Sequence, residues 1–228
     1  MNLKVRLFGA FILTVGCLIG FIVMAIAISR HEILMFDSYL ISVIQGLEHP
    51  VLTPIMKFFT MIGNTESVIV LSMIVLLLLH LRTRSRSEFI LVFLVMIGTP
   101  IINRILKEFF QRVRPDFHRL IEIGGYSFPS GHAMNAMAFY GIVAFILWRH
   151  IPTRIGRTVL ILLSGLFIFT IGISRVYLGV HYPSDIIAGY MASGFWLSIS
   201  IWVFQWYKDK QFARNHVSKE RSDFVNKN

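Results

Sequence analysis

Three short stretches of this 228-residue chain carry side chains suited to handling a phosphate. Lys107 precedes Arg114-Pro115, then comes Pro129-Ser130-Gly131-His132, and Ser174-Arg175, His181 and Asp185 complete the set. Guanidinium forks match pairs of phosphate oxygens, and a lysine adds a point charge. A serine and a glycine opening a helix offer donors and close backbone approach to an anion. Imidazoles attack, or move protons, near neutral pH.

Taken singly, each residue has a plainer explanation. Lys107 and Arg114 suit snorkelling positions at a membrane interface. Ser130 suits a helix N-cap, and Gly131 a packing contact. His132 and His181 suit an ordinary interface, and Asp185 the positive end of a helix. Glu66 reads either as a buried hydrogen-bonded acid or as a catalytic one. Two histidines and an aspartate also suit zinc. That reading leaves three cations unexplained, and they would repel a divalent ion. What the single explanations miss is that all these groups fall on one side of the chain's apolar segments.

Those segments define the class. Hydrophobic residues make up 55% of the sequence and charged residues 15%, with 20 Phe, and mean hydropathy is +0.68. Such a chain is neither water-soluble at this size nor disordered. The net charge of +10 is not read as a nucleic-acid footprint, because the apolar residues fall in long runs. The lone Cys17 allows no intrachain disulfide and no cysteine metal site. The runs are Leu7–Ser29, Ser67–Leu81, Phe89–Asn103, Ala133–Trp148, Thr158–Ser174 and Ile186–Tyr207. Short ones extend into the interface, the second back past Glu66 towards Ile55 and the third through Lys107. The first, despite Ala25-Ile26-Ala27, is an anchored helix and not a cleaved signal. The expected fold is therefore an all-α integral membrane bundle of six transmembrane helices, one domain over residues 1–207. A basic tail, mobile and apt to touch anionic lipid, is expected over 208–228.

Fourteen of the 22 Lys and Arg, against four acids, lie on one side, and the other side balances eight with eight. The basic side, with both termini, is expected in the cytoplasm and the phosphate-handling residues outside. Between the first two runs, Phe36, Tyr39, Leu40 and Ile44 predict a short amphipathic surface helix, read as packing or lipid contact.

Together the three stretches match K-x6-R-P, P-S-G-H and S-R-x5-H-x3-D without a substitution. On these residues the chain resembles the type 2 phosphatidic acid phosphatase superfamily, which also includes vanadium haloperoxidases. The resemblance implies a lipid phosphatase of the bacterial cell membrane. It assigns His181 as nucleophile forming a phosphohistidine, Asp185 as the partner that orients it, and His132 as general acid and then base. Lys107, Arg114, Ser130, Gly131 and Arg175 bind the phosphate, so no metal or other cofactor is expected. No nucleic acid and no obligate protein partner are expected either. The implied substrate is a lipid phosphate ester, with phosphatidylglycerophosphate first, then phosphatidate and undecaprenyl diphosphate. A transporter or scramblase is the rival of a different class. Charges gathered at one end of the spans, and the lack of an internal repeat, speak against it. A lipid-binding scaffold would rest on the basic tail alone, and the haloperoxidase relatives are soluble.

Overall fold

The computed structural model describes residues 3–82, 86–116 and 118–225. Among the orientation charges, Arg84 and Lys227 lie outside the described residues. Eight helices follow one another: α1 Leu3–Ser29, α2 Leu34–Gln45, α3 Leu52–Ile62, α4 Thr65–Arg82, α5 Arg86–Phe110, α6 Gly131–His150, α7 Arg154–Tyr177 and α8 Pro183–Val225. Among the described residues, five of them are long and apolar enough to cross a membrane, and α3 with α4 forms a sixth span bent by 58°. The extension of the second run towards Ile55 is thus present, but broken at Gly63-Asn64. The break lies where the chain touches its neighbours: a Cβ on Gly63 would come within 2.5 Å of Ile171 Cγ2 and 3.4 Å of His132 Cδ2.

α5, α6 and α8, with α4 beside them, enclose the main apolar core, including Leu79, Val92, Val95, Ile142, Ile146 and Phe204. α1 packs along α8, where Thr14 Oγ1 donates to Ser198 Oγ at 2.9 Å. Large residues such as Phe11, Ile69, Phe93, Leu162 and Phe169 stay exposed on the outer faces, as lipid-facing positions require. At one end of the bundle Arg149 pairs with the buried Glu88 at 3.5 Å. The phosphate-handling residues gather at the other end. Past Tyr207 the backbone of α8 runs on as helix to Val225, so the basic segment continues the last span.

At the site's end, α2 forms where the amphipathic pattern places it. Its inner face, however, is set by Asp37, Leu40, Ile41 and Ile44, while Phe36 and Tyr39 are exposed. The packing reading of this segment holds for Ile41 and Ile44, which lie in a cluster with Val176 and Ile186. Asp37 adds a polar role, being 1% exposed and bonded to polar groups of another element. Glu66 is also corrected: it is exposed in the first turn of α4, where its charge complements the helix's positive end.

Residues 111–116 and 118–130 are irregular, and hydrogen bonds fasten them to their surroundings. Leu120 N donates to Leu178 O at 3.1 Å, and Gln45 Nε2 donates to His118 O at 2.9 Å. Gly179 (φ +73) lets this happen, because a Cβ there would lie 2.2 Å from His118 O. α7 and α8 meet as closely at Gly172, whose Cβ would fall 1.9 Å from Tyr190 Oη and 2.6 Å from Ile186 Cγ2. Gly172→Val should therefore lower stability by about 1–3 kcal/mol, the usual cost of overpacking. Thermal unfolding of the detergent-purified protein checks this, and an unchanged midpoint would mean that the interface yields.

Candidate active site

Each part of the site is built at a helix end. Ser130 caps α6, its Oγ accepting from Ala133 N at 3.4 Å. Its own backbone N–H donates to Asp185 O at 3.1 Å, which ties the start of α6 to the start of α8. The Ser130 Oγ thus caps its helix as an acceptor, which leaves the hydroxyl's hydrogen to donate. A Cβ on Gly131 would press on Asn103 Oδ1 at 3.0 Å, tighter than most Cβ contacts. Asn103 Nδ2 in turn donates to Pro129 O at 3.1 Å. The first-turn N–H groups of α6 face a region rich in positive charge, and such groups favour an anion.

His181 lies between α7 and α8 and is 2% exposed. Its Nδ1 is 3.3 Å from Asp185 Oδ2, the spacing of one helical turn. Its Nε2 is 3.1 Å from Arg114 Nη1. A guanidinium has no acceptor, so Nε2 must carry the lone pair and Nδ1 the hydrogen. Burial first, then the charges of Arg175, Arg114 and Lys107, pushes the His181 pKa well below the ordinary histidine value. The ring is therefore a neutral base whose free electron pair points at the cations.

Asp185 is fully buried and richly satisfied. Oδ2 accepts from Tyr182 N at 3.0 Å and from the Ser127 hydroxyl, and Oδ1 from Arg112 Nη1 at 2.6 Å. The helix-end reading of this acid is too small for what it does, since it also holds His181.

The three predicted cations are placed differently from one another. Lys107 donates to Tyr126 O. Arg114 donates through Nε to Gly125 O at 3.0 Å and through Nη1 to Val180 O at 2.8 Å. Both thus shape residues 118–130 as well as charging the site. Arg175, 1% exposed, donates from Nη1 to Thr60 Oγ1, while its Nε and Nη2 have no partner among the described residues. Buried charged donors without acceptors are costly and point to a ligand they were placed to meet.

His132, one residue inside α6, holds its Nε2 2.6 Å from Asn64 Oδ1 at the α3–α4 break. It lies within electrostatic reach of His181, Arg175, Arg114 and Lys107. All eight predicted residues thus gather at one end of the bundle. No three His, Cys, Asp or Glu side chains among the described residues are arranged to hold a metal ion. Sequence reasoning missed Asp37, Thr60, Asn64, Arg112 and Ser127. Only Arg112 carried a visible signal, a second arginine two residues before Arg114.

Known proteins resemble this chain in sequence and in fold. A family model described as the PAP2 superfamily matches residues 88–210. Phosphatidylglycerophosphatase B of Bacillus subtilis is 32% identical over 178 residues, covering 77% of this chain and 87% of that protein. Lipid A 1-phosphatase of Rhizobium johnstonii is 32% identical over 117 residues, 47% of this chain and 43% of that one. The crystal structure of a transmembrane PAP2-type phosphatidylglycerolphosphate phosphatase from Bacillus subtilis superposes with a TM-score of 0.77 at 29% identity, over 86% of this chain and 96% of that chain.

The unpartnered donors of Arg175 make a prediction about anions. Inorganic phosphate should raise the unfolding temperature of the purified protein, with about 2.7 kcal/mol of stabilisation at 100 times Kd. Arg175→Ala should remove most of the rise. An equal rise in the variant would place the anion elsewhere.

Proposed function

Since the chain belongs to the PAP2 superfamily, we propose that it is a membrane lipid phosphatase whose preferred substrate is phosphatidylglycerophosphate, cleaved through a phosphohistidine. The observation that carries this reading is the pairing of a neutral, lone-pair-bearing His181 Nε2 with the buried, unmet donors of Arg175. The similarity to phosphatidylglycerophosphatase B over most of both chains supports the choice of substrate.

In the reaction, the phosphoryl group lies against Arg175, Arg114, Lys107 and the first N–H groups of α6, which stabilise charge on its equatorial oxygens. His181 Nε2 attacks phosphorus, and the bond from phosphorus to the lipid oxygen breaks. His132 gives its proton to the departing oxygen, which takes the place of Asn64 Oδ1 at Nε2. A water then enters, His132 takes its proton, and the hydroxide displaces His181, whose electron pair returns to Nε2. Throughout, the Nδ1–H of His181 stays on Asp185, which steadies the positive charge that develops on the ring.

A lipid substrate is supported by an apolar groove of about 400 Å³ beside the site. It is lined by the apolar Phe21, Ile22, Ala25, Ile26 and Phe110 together with Ser29 and Arg30. Phe110 packs edge-on to Phe128, next to Pro129, at 4.9 Å. The chain is a multi-pass membrane protein, and the distribution of basic residues supports cytoplasmic termini and an outward-facing site.

The test is phosphate release by purified protein in excess EDTA, from phosphatidylglycerophosphate, phosphatidate and undecaprenyl diphosphate in parallel. Phosphatidylglycerophosphate should be turned over fastest and without metal. His181→Ala should abolish turnover while the protein still elutes as a folded species. Retained turnover in that variant would remove His181 as nucleophile, and loss of activity in EDTA would reject the metal-free scheme.

A further inference from the structure

The strongest feature that the reaction scheme leaves unused is a chain of buried charge behind Asp185. Arg112 lies in the irregular segment, between Lys107 and Arg114, and its side chain is 13% exposed. Its Nη1 reaches Asp185 Oδ1 at 2.6 Å, and its Nη2 reaches Asp37 Oδ2 at 2.9 Å. Asp37 comes from α2, 148 positions before Asp185, and is 1% exposed. It accepts from Ser184 N at 2.9 Å and from Ser184 Oγ at 2.6 Å, so it also caps the amino end of α8. The Tyr182 ring lies against the Arg112 guanidinium, 4.0 Å from its centroid.

We propose that Arg112, anchored by Asp37, is a positioning residue for the nucleophile. The two oxygens of Asp185 are divided between two tasks. Oδ2 faces His181 Nδ1, and Oδ1 is held by Arg112. A carboxylate gripped by one oxygen through a planar fork cannot rotate away from the imidazole, and the fork is held in turn by a second carboxylate. Arg112 also supplies a full positive charge to a carboxylate shut off from water, where an unpaired charge is costly. α2 is thereby part of the catalytic apparatus at one remove, because it delivers the anchor.

This inference rests on the reading of His181 as nucleophile, and the experiment separates the two. Turnover is measured for His181→Ala, Arg112→Ala, Arg112→Lys, Asp37→Asn, Asp185→Asn and the double variant Arg112→Ala/Asp185→Asn. Arg112→Ala should lower kcat by about 10- to 100-fold with KM little changed, the loss typical when a partner that orients a reactive imidazole is removed. Added guanidinium ion should restore part of it. Asp37→Asn should lose less than Arg112→Ala. The double variant should be little worse than Asp185→Asn alone, because Arg112 acts through that carboxylate. Should Arg112→Ala fail to fold, Arg112→Lys and Asp37→Asn carry the same comparison of kcat with KM. An inactive His181→Ala beside a wild-type kcat in the folded Arg112 variants would overturn the role of Arg112 alone. Additive losses in the double variant would do the same, whereas an active His181→Ala would overturn the underlying reading.

Discussion

Arg175 is shut away from water with two of its N–H-bearing nitrogens meeting no acceptor among the described residues, and much of the molecule can be understood as what keeps it there. Left to itself, a buried cation of this kind would swing towards solvent or gather acceptors around it. Here Thr60 takes one nitrogen, and α7 is locked against α8 by close contact at Gly172. The backbone that follows is pinned through Val180 to Arg114. The fold pays for leaving those donors open, and the return is a site where an anion is favoured before it arrives.

The same logic orders His181. Burial first, and then the surrounding cations, keeps the His181 ring neutral, and the guanidinium of Arg114 decides which nitrogen bears the lone pair. Ser127, the Tyr182 backbone and Arg112 satisfy the carboxylate on the other side. Positive charge that would hinder a protonated base therefore adds to burial in keeping it neutral, and it is also what a transferring phosphoryl group requires. One cluster of charge serves both ends.

Much of this was legible in the sequence. The apolar runs located the spans, and the spacing of Lys107, Arg114, His132, Arg175, His181 and Asp185 located the site, because charge near a membrane must be justified by function. What was not legible depends on long-range contact. The pairings of Asp37 with Ser184 and of Asn64 with His132 join residues 147 and 68 positions apart, and no local periodicity announces such partners. The bend at Gly63-Asn64 was hidden inside what read as one extended run. Lys107 and Arg114 were read for their charge alone, and their second task of holding loop carbonyls depends on where an irregular segment folds back. Ser130 shows the reverse, because its capping of α6 follows from local sequence alone.

The family model begins at residue 88, so α1, α2 and α3 invite the view of a detachable membrane anchor in front of the chemistry. The polar contacts say otherwise. Asp37 of α2, Thr60 of α3 and Asn64 at the following bend each hold a side chain of the later half, Arg112 and Ser184, Arg175, and His132. The smallest self-sufficient unit thus extends back at least to α2. A chimera that grafts the later helices onto a foreign leading segment must carry these three side chains with it, or strand their partners inside the bundle.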